Sequence, residues 1–277
     1  MHVDLHTHTT VSDGVLSPEE LVDHAARRGL RFLAITDHDA TDGLTHAIER
    51  AERHPSLTVI PGVELSADAD EGEIHILGYL DTYEDTAFQE EMQKFRDGRV
   101  GRAQGMVEKL KSLGLEVTWE RVKEIAGDGA VGRPHVAQAL MERRHVESVQ
   151  EAFDLYIGKD GPAYVGREKL TPGDAIRLIQ SVGGKAVLAH PSFTRNVETL
   201  LPEMKAEGLD GMEVYYARYT PELISRLKRL ADKHGLVPCG GSDYHGPGLG
   251  PDIDLGSVDV PESSVYRLLG IGDSKGR

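Results

Sequence analysis

One cysteine in 277 residues, Cys239, excludes an intramolecular disulfide framework and fits a reducing compartment. No run of about 18 apolar residues occurs, so no segment reads as a membrane span. The stretch Met1-His2-Val3-Asp4-Leu5-His6 has no basic region ahead of an apolar one. No signal peptide is therefore read there, and the cytoplasm is the expected compartment. Basic residues are scarce: Lys plus Arg number 31 against 46 Asp plus Glu, a formal charge of −15. Such a chain is ill-suited to gripping long nucleic acid through counterion release. It can still bind a small anion where metals or a few placed arginines reverse the sign locally. Neither solenoid-type repeats nor low-complexity tracts occur. The remaining composition, 39% hydrophobic and 28% charged, is ordinary for a globular protein of one large or two modest domains.

Seven short apolar runs predict strands, at 3–5, 32–35, 57–63, 74–80, 186–189, 212–214 and 236–239. Nearly all carry a potential ligand near one end. The first leads into His6-Thr7-His8, the second into Thr36-Asp37-His38-Asp39, and the third into Glu64. His75 sits near the start of the fourth, His190-Pro191 follows the fifth, and Glu213 lies inside the sixth. Ser242-Asp243-Tyr244-His245 follows the last. Ser17-Pro18-Glu19-Glu20 opens a helix with a capping box, Thr171-Pro172-Gly173-Asp174 repeats it, and Thr220-Pro221-Glu222 does so more loosely. Gly29, Gly114, Gly183 and Gly235 stand where helices should stop. Strand and helix alternate over 1–80 and 166–262, which predicts an α/β fold with a mostly parallel sheet and crossovers. Folds of that class put their chemistry at the carboxyl ends of the strands.

Residues 82–165 read as helix only, at 84–113, 118–126, 134–144 and 148–156. They predict an all-helical domain inserted into an α/β core made of 1–81 and 166–277, whose last ten residues look like a frayed tail.

On a strand, His6-x-His8 puts both imidazoles on one face, because side chains alternate with period 2. Such a pair can chelate a cation. Asp243-x-His245 offers a second short pair, Glu64 a carboxylate able to bridge two ions, and His38, His75 and His190 further imidazoles. Asp13 sits in a Ser-Asp-Gly turn just past the first pair. Imidazole and carboxylate without thiolate suit Zn, Mn or Fe better than Ca or Mg. His24, His46, His54, His145 and His234 lie on predicted helices and read as solvated side chains.

The set His-x-His, Ser-Asp-Gly, Thr-Asp-His-Asp, Pro-Gly-Val-Glu, His-x-Leu-Gly, Ala-His-Pro and Gly-Ser-Asp-x-His resembles the PHP (polymerase and histidinol phosphatase) family. The match covers 1–80 and about 166–250. It implies a distorted seven-stranded β/α barrel holding two or three divalent transition metals. By that resemblance His6, His8, Glu64 and Asp243 hold one metal, and Glu64 bridges to a second completed by His75 and His190. Asp13, His38 and His245 hold a third.

In the insertion, Phe88, Met92, Phe95, Met106, Leu110 and Leu113 form an apolar stripe at helical spacing. Arg99 and Arg102 fall on the same face midway. A guanidinium cannot shed its charge, so each needs an anion there, from a ligand or from a Glu of the chain. In Gly132-Arg133-Pro134-His135, Pro134 suits the first helical position, so Arg133 stands at a helix start, where phosphate binds well. Lys159 and Tyr164, in the turn leading back to the core, add a cation and an aromatic ring. Together these predict a phosphate-reading lid in an acidic protein. The Gly-Arg-Pro-His and Pro-Ala-Tyr-Val segments resemble those of PHP phosphoesterases acting on nucleoside 3′,5′-bisphosphates. The resemblance implies hydrolysis of a 3′-phosphate to leave a nucleoside 5′-monophosphate, with the insertion holding the rest of the nucleotide; Arg99, Arg102 and Arg133 are expected to position the non-reacting phosphate, with His135, Lys159 and Tyr164 also at the substrate. Asp37 is expected to support a ligating His, and His245 or a water to protonate the leaving oxygen. A 5′-to-3′ exonuclease on short RNA, a histidinol phosphatase and a non-catalytic metal-binding module are the alternatives.

Overall fold

The computed structural model describes residues 2–69, 72–127, 129–166, 170–247 and 253–270. Strands buried on both faces need apolar side chains throughout, which is why they read as short continuous runs. They are β1 (Val3–Asp4), β2 (Phe32–Ile35), β3 (Thr58–Ala69), β4 (Gly72–Tyr79), β5 (Lys185–Leu188), β6 (Gly211–Tyr216) and β7 (Val237–Gly241), side by side in chain order in one sheet. The pairs β1·β2, β2·β3, β5·β6 and β6·β7 are parallel, as the alternation predicts. β4 departs from that expectation: it runs antiparallel to both β3 and β5. The reason lies in β3, which continues past Glu64 to Ala69 and turns straight back. Its second half, Leu65-Ser66-Ala67-Asp68-Ala69, alternates apolar and polar residues and so lies outside the continuous apolar run at 57–63.

The ends of the sheet approach each other and nearly close a barrel. Leu5 N donates to the Gly240 carbonyl at 3.3 Å, and Asp243 N donates to that of His6 at 2.9 Å. Asp4, 1% exposed, clasps the seam. Its carboxylate accepts from Ser242 N at 2.8 Å, Ser242 Oγ at 2.6 Å and Gly256 N at 2.8 Å. Gly241 is required by the same approach, since a Cβ there would stand 2.4 Å from His6 N.

Helices α1 (Pro18–Arg27) and α2 (Leu44–Ala51) follow the first two strands. The inserted segment carries α3 (Thr86–Ser112), α4 (Trp119–Ala126), α5 (Arg133–Glu142) and α6 (Val149–Ala152), the last continued by a π-helical turn over Phe153–Ile157. Then come α7 (Pro172–Ser181), α8 (Val197–Ala206), α9 (Pro221–Lys233) and α10 (Glu262–Leu269). Ser17 and Glu20 form their capping box, as do Thr171 and Asp174, and Thr220 Oγ1 accepts from Leu223 N at 3.3 Å. Leu268 and Leu269 close α10 rather than fraying; 271–277 lie outside the described residues.

Helix α3 joins two cores. Phe88 and Met92 pack with Ile74, Ile76, Ile176 and Ile179 of the barrel. Met106 and Leu110 pack instead with Val122, Val136, Leu140 and Ile157 of the insertion. Leu113, expected on the buried stripe, is 47% exposed at the C-cap. Arg99 and Arg102 lie where one core ends and the other begins.

Replacing Asp4 by Ala leaves the buried Ser242 and Gly256 donors without their charged acceptor. We expect a loss of at least about 3 kcal/mol of unfolding free energy, read by urea denaturation, with β1 and β7 losing amide protection first. A loss below about 1 kcal/mol would remove Asp4 from the closure.

Candidate active site

Strand direction explains how residues from both strand starts and strand ends meet. Glu64, His190 and Asp243 follow or extend parallel strands at their carboxyl ends. His75 is near the start of β4, but β4 is reversed, so its start lies at that same rim, opposite Ser66. Glu64, 1% exposed, is the centre. Its Oε2 lies 3.2 Å from His6 Nε2, 3.3 Å from His8 Nε2 and 3.1 Å from His38 Nδ1. Its Oε1 lies 2.8 Å from His75 Nδ1 and 3.1 Å from His190 Nε2. Asp243 Oδ1 adds contacts of 3.3 Å to His6 Nε2 and 3.1 Å to His8 Nε2. On the far side of His8, Asp13 faces His8 Nδ1 at 3.7 Å, His38 Nε2 at 3.8 Å and His245 Nε2 at 3.3 Å.

The donor set fits divalent metals. Three groups bring their ligand atoms within 4.8 Å of one another: His6, His8 and Glu64; His38, Glu64 and His75; and His8, Asp13, His38 and His245. Among the described residues, His6 Nε2, His8 Nε2, Asp13 Oδ1 and His38 Nδ1 are buried with no hydrogen-bond partner. Buried lone pairs left so are costly, and several converging on common points are what a cation satisfies. Burial alone would raise the Glu64 carboxyl, but His38, His6 and His75 hold it well below the ordinary range. Burial opposes protonation of His8 and His75, yet the facing carboxylates push them up to about 10 and about 9. The backbone is strained at the same rim: Asp39, His190 and Asp243 are non-glycine residues with φ of 49°, 26° and 56°.

Beside His38 and His75 opens a cavity of about 180 Å³, also lined by Ser66, Glu73, Arg99, Arg102, Met106, Gly132, Arg133 and Phe153. Arg99 donates to Asp39 Oδ2 at 2.5 Å and to Ser66 Oγ at 2.8 Å. Arg102 donates to the Val165 carbonyl at 3.0 Å and to Glu73 Oε2 at 3.3 Å, while Arg133 donates to Glu73 Oε1 at 2.7 Å. Their guanidiniums also lie 5.4 Å from the Tyr164 ring and 5.0 Å from the Phe153 ring, respectively. The volume is below the roughly 300–1,000 Å³ of sites that enclose a whole small molecule. It suits one anionic group.

The PHP domain model matches residues 4–157. The chain belongs to the PHP family. It is 32% identical to the 3′,5′-nucleoside bisphosphate phosphatase of Chromobacterium violaceum over 94% of this chain and 93% of that one. It is 36% identical to the 5′-3′ exoribonuclease Rnm of Escherichia coli over 91% of this chain and 87% of that one. A crystal structure from Bifidobacterium adolescentis, a candidate metal-dependent phosphoesterase, superposes with a TM-score of 0.88 at 31% identity, covering 100% and 99% of the two chains.

Other residues of this PHP site are arranged differently from the sequence expectations. Asp37 faces the Thr9–Ser12 loop, accepting from Thr9 N at 2.8 Å, Thr9 Oγ1 at 2.7 Å and Ser12 Oγ at 2.6 Å. It shapes the turn before Asp13 and meets His8 through Ser12, whose Oγ lies 3.5 Å from His8 Nδ1. On the ring nitrogens turned away from Glu64, Glu213 lies 3.1 Å from His6 Nδ1 and Glu73 3.0 Å from His75 Nε2. Glu213 was visible as an acid inside an apolar strand, whereas only the antiparallel β4 exposes the role of Glu73. His135 lies outside the cavity lining; its Nδ1 accepts from Gly132 N at 2.9 Å and caps α5. Lys159 is exposed, and Tyr164 backs Arg102. Nor are all the remaining histidines solvated: His24 stacks on Tyr244, and His54 bonds Asp23 at 2.8 Å.

Metal uptake should release protons. With His8 and His75 raised to about 10 and about 9 before a cation arrives, both carry protons at pH 7.5 that a ligand cannot keep. Titration of Mn²⁺ into chelator-treated protein, in buffers of different ionisation enthalpy, should report at least one proton released per cation. Apparent affinity should rise as pH rises from 7 to 9. Proton-neutral binding would place the cation elsewhere.

Proposed function

We propose that this PHP phosphoesterase hydrolyses the 3′-phosphate of nucleoside 3′,5′-bisphosphates, giving a nucleoside 5′-monophosphate and phosphate. The observation that carries this reading is the arginine-lined cavity abutting His38 and His75. An enzyme for a simple monoester has no use for three guanidiniums beside its metal centre; one that holds a second phosphate does. The similarity to the Chromobacterium bisphosphate phosphatase supports the same reading.

His6, His8, Glu64 and Asp243 would hold one cation, Glu64, His75 and His190 a second, and Asp13, His38 and His245 a third. The all-nitrogen-and-oxygen set favours Mn, Fe or Zn. Bound divalent metals supply Lewis-acid charge for the phosphoryl oxygens and an acidified water. Glu213 and Glu73 would fix the ring orientations of His6 and His75 by accepting their second N–H. In His245 the Nδ1–H donates to the Asp243 carbonyl at 2.9 Å, while Nε2 faces Asp13 at 3.3 Å, whose carboxylate helps to raise the ring against its burial. With a cation at Nε2 beside Asp13, His245 would give up that proton and serve as a ligand, and water would then protonate the leaving oxygen. Arg102 and Arg133 would bind the 5′-phosphate and orient the nucleotide so that the 3′-phosphate meets the metals. Arg99, held by Asp39 and Ser66, would lend them its field. The inserted helices over 82–165 would then be the substrate lid of a barrel built from 1–81 and 166–277. No helix among the described residues is long and apolar enough to cross a membrane, and a nucleotide substrate fits the cytoplasm.

Arg133→Ala should lower kcat/KM for adenosine 3′,5′-bisphosphate about tenfold to hundredfold, the loss of a charge-assisted pair worth roughly 1.5–3 kcal/mol. Turnover of p-nitrophenyl phosphate, which lacks the second phosphate, should change much less, and metal content should stay normal. Equal losses on both esters would move Arg133 to the reacting phosphate. Glu64→Gln should lower bound metal and turnover together; full metal content after that change would remove Glu64 from the bridge.

A further inference from the structure

Three groups from two sides of the site end on one carboxylate. Glu73 stands two residues before His75 on β4, so period-2 alternation puts both side chains on one face, the face that also carries Ser66 of β3. All three line the arginine cavity. Glu73 Oε1 lies 3.0 Å from His75 Nε2 and 2.7 Å from Arg133 Nη2, and its Oε2 lies 3.3 Å from Arg102 Nη2. A single negative charge is thus divided between two guanidiniums of the insertion and one imidazole of the barrel. Arg99 differs in being held by another carboxylate, that of Asp39.

Both arginines have a second support. Arg102 also donates to the Val165 carbonyl at 3.0 Å and lies 5.4 Å from the Tyr164 ring, and Arg133 lies 5.0 Å from the Phe153 ring. Either guanidinium can therefore turn from Glu73 to an anion in the cavity and still keep its place. The carboxylate left behind has His75 Nε2–H as its remaining strong donor. An imidazole whose far N–H is held by a carboxylate is fixed in tautomer and orientation, and binds metal better through its near nitrogen. Here the near nitrogen is Nδ1, 2.8 Å from Glu64 Oε1. We propose that Glu73 is a positioning residue that exchanges partners, holding Arg102 and Arg133 while the cavity is empty and turning to His75 when an anionic group takes them. Filling the cavity then strengthens cation binding at His75, and by linkage a cation at His75 strengthens anion binding in the cavity. This rests on the reading that the cavity receives the non-reacting phosphate. A bisphosphate would complete the centre that acts on it, whereas an ester with one phosphate would meet a His75 less firmly held.

The test measures binding of Mn²⁺ and of adenosine 5′-monophosphate to chelator-treated protein by calorimetry, each alone and each with the other saturating. In wild type the nucleotide should raise Mn²⁺ affinity about fivefold to hundredfold, and Mn²⁺ should raise nucleotide affinity by the same factor. Glu73→Gln keeps the shape and gives up the charge, so two changes of opposite sign should appear. The nucleotide should bind the metal-free variant about tenfold more tightly, its competitor for the arginines being gone, while Mn²⁺ alone should bind more weakly. The factor linking the two should fall to about a third or less of the wild-type value, the remainder being direct attraction between cation and nucleotide. Arg102→Ala relieves Glu73 of one guanidinium with no anion present. Mn²⁺ alone should bind that variant more tightly and gain less from the nucleotide, which keeps the test decisive if Glu73→Gln does not fold. An unchanged linkage factor in Glu73→Gln, or in Arg102→Ala, overturns the exchange. So does weaker nucleotide binding by metal-free Glu73→Gln, which would make Glu73 a fixed wall of the cavity. Nucleotide binding to metal-free protein that is indifferent to Arg133→Ala would instead mark failure of the phosphate reading.

Discussion

A buried carboxylate surrounded by imidazoles sets the terms for everything around it. Glu64 is almost wholly removed from water, and five histidines stand within 2.8–3.3 Å of its oxygens. Burying an ion without compensation costs several kcal/mol, and five neutral rings offering lone pairs would not compensate it. Positive charge must come from protons on the rings or from metals among them. The raised His8 and His75 describe the first solution, and the unpartnered atoms of His6, His8, Asp13 and His38 describe the need for the second. Strained backbone at Asp39, His190 and Asp243 follows from packing so many ligands onto one rim.

The barrel exists in the form that such a rim demands. Parallel strands deliver side chains at their carboxyl ends, and β1, β2, β3, β5 and β7 do so. A sixth strand running the same way would present its start at the opposite end, so His75 reaches Glu64 only because β4 is reversed. The Asp4 clasp at the β1–β7 seam then holds His6 and His8 against Asp243. Asp4, two residues before His6 and four before His8, thus closes the barrel, while Asp243 at the exit of β7 faces the same His pair.

Much of this was legible in the sequence because strands buried on both faces have a plain signature and histidines at their ends break it conspicuously. The seven strands, the three Thr or Ser caps and the helices of the insertion are found within a few residues of where the pattern puts them. What escaped has a common cause. The second half of β3 alternates, with Leu65 and Ala67 in the core and Ser66 facing the site, whereas the other strands show as continuous apolar runs. Missing that extension hid the β3–β4 hairpin, the antiparallel pairing and the place of Glu73 at once. Asp37, next to His38 in sequence but beyond the end of β2, bonds the Thr9–Ser12 loop, whose Ser12 Oγ faces His8 Nδ1 at 3.5 Å.

Glu73 shows why the arginines could be found but not interpreted from sequence. Their place on an apolar stripe demanded anions, and the structure supplies two from within the chain, Asp39 for Arg99 and Glu73 for Arg102 and Arg133. Two guanidiniums sharing one carboxylate leave net positive charge in the cavity, which attracts a phosphate without requiring one for stability. The same Glu73 oxygen that accepts from Arg133 also faces His75 Nε2. An anion drawing the arginines away from Glu73 therefore leaves that carboxylate more strongly committed to His75, whose other nitrogen faces Glu64. The arginine cavity and the orientation of a metal-competent ring are thus joined through one side chain, Glu73.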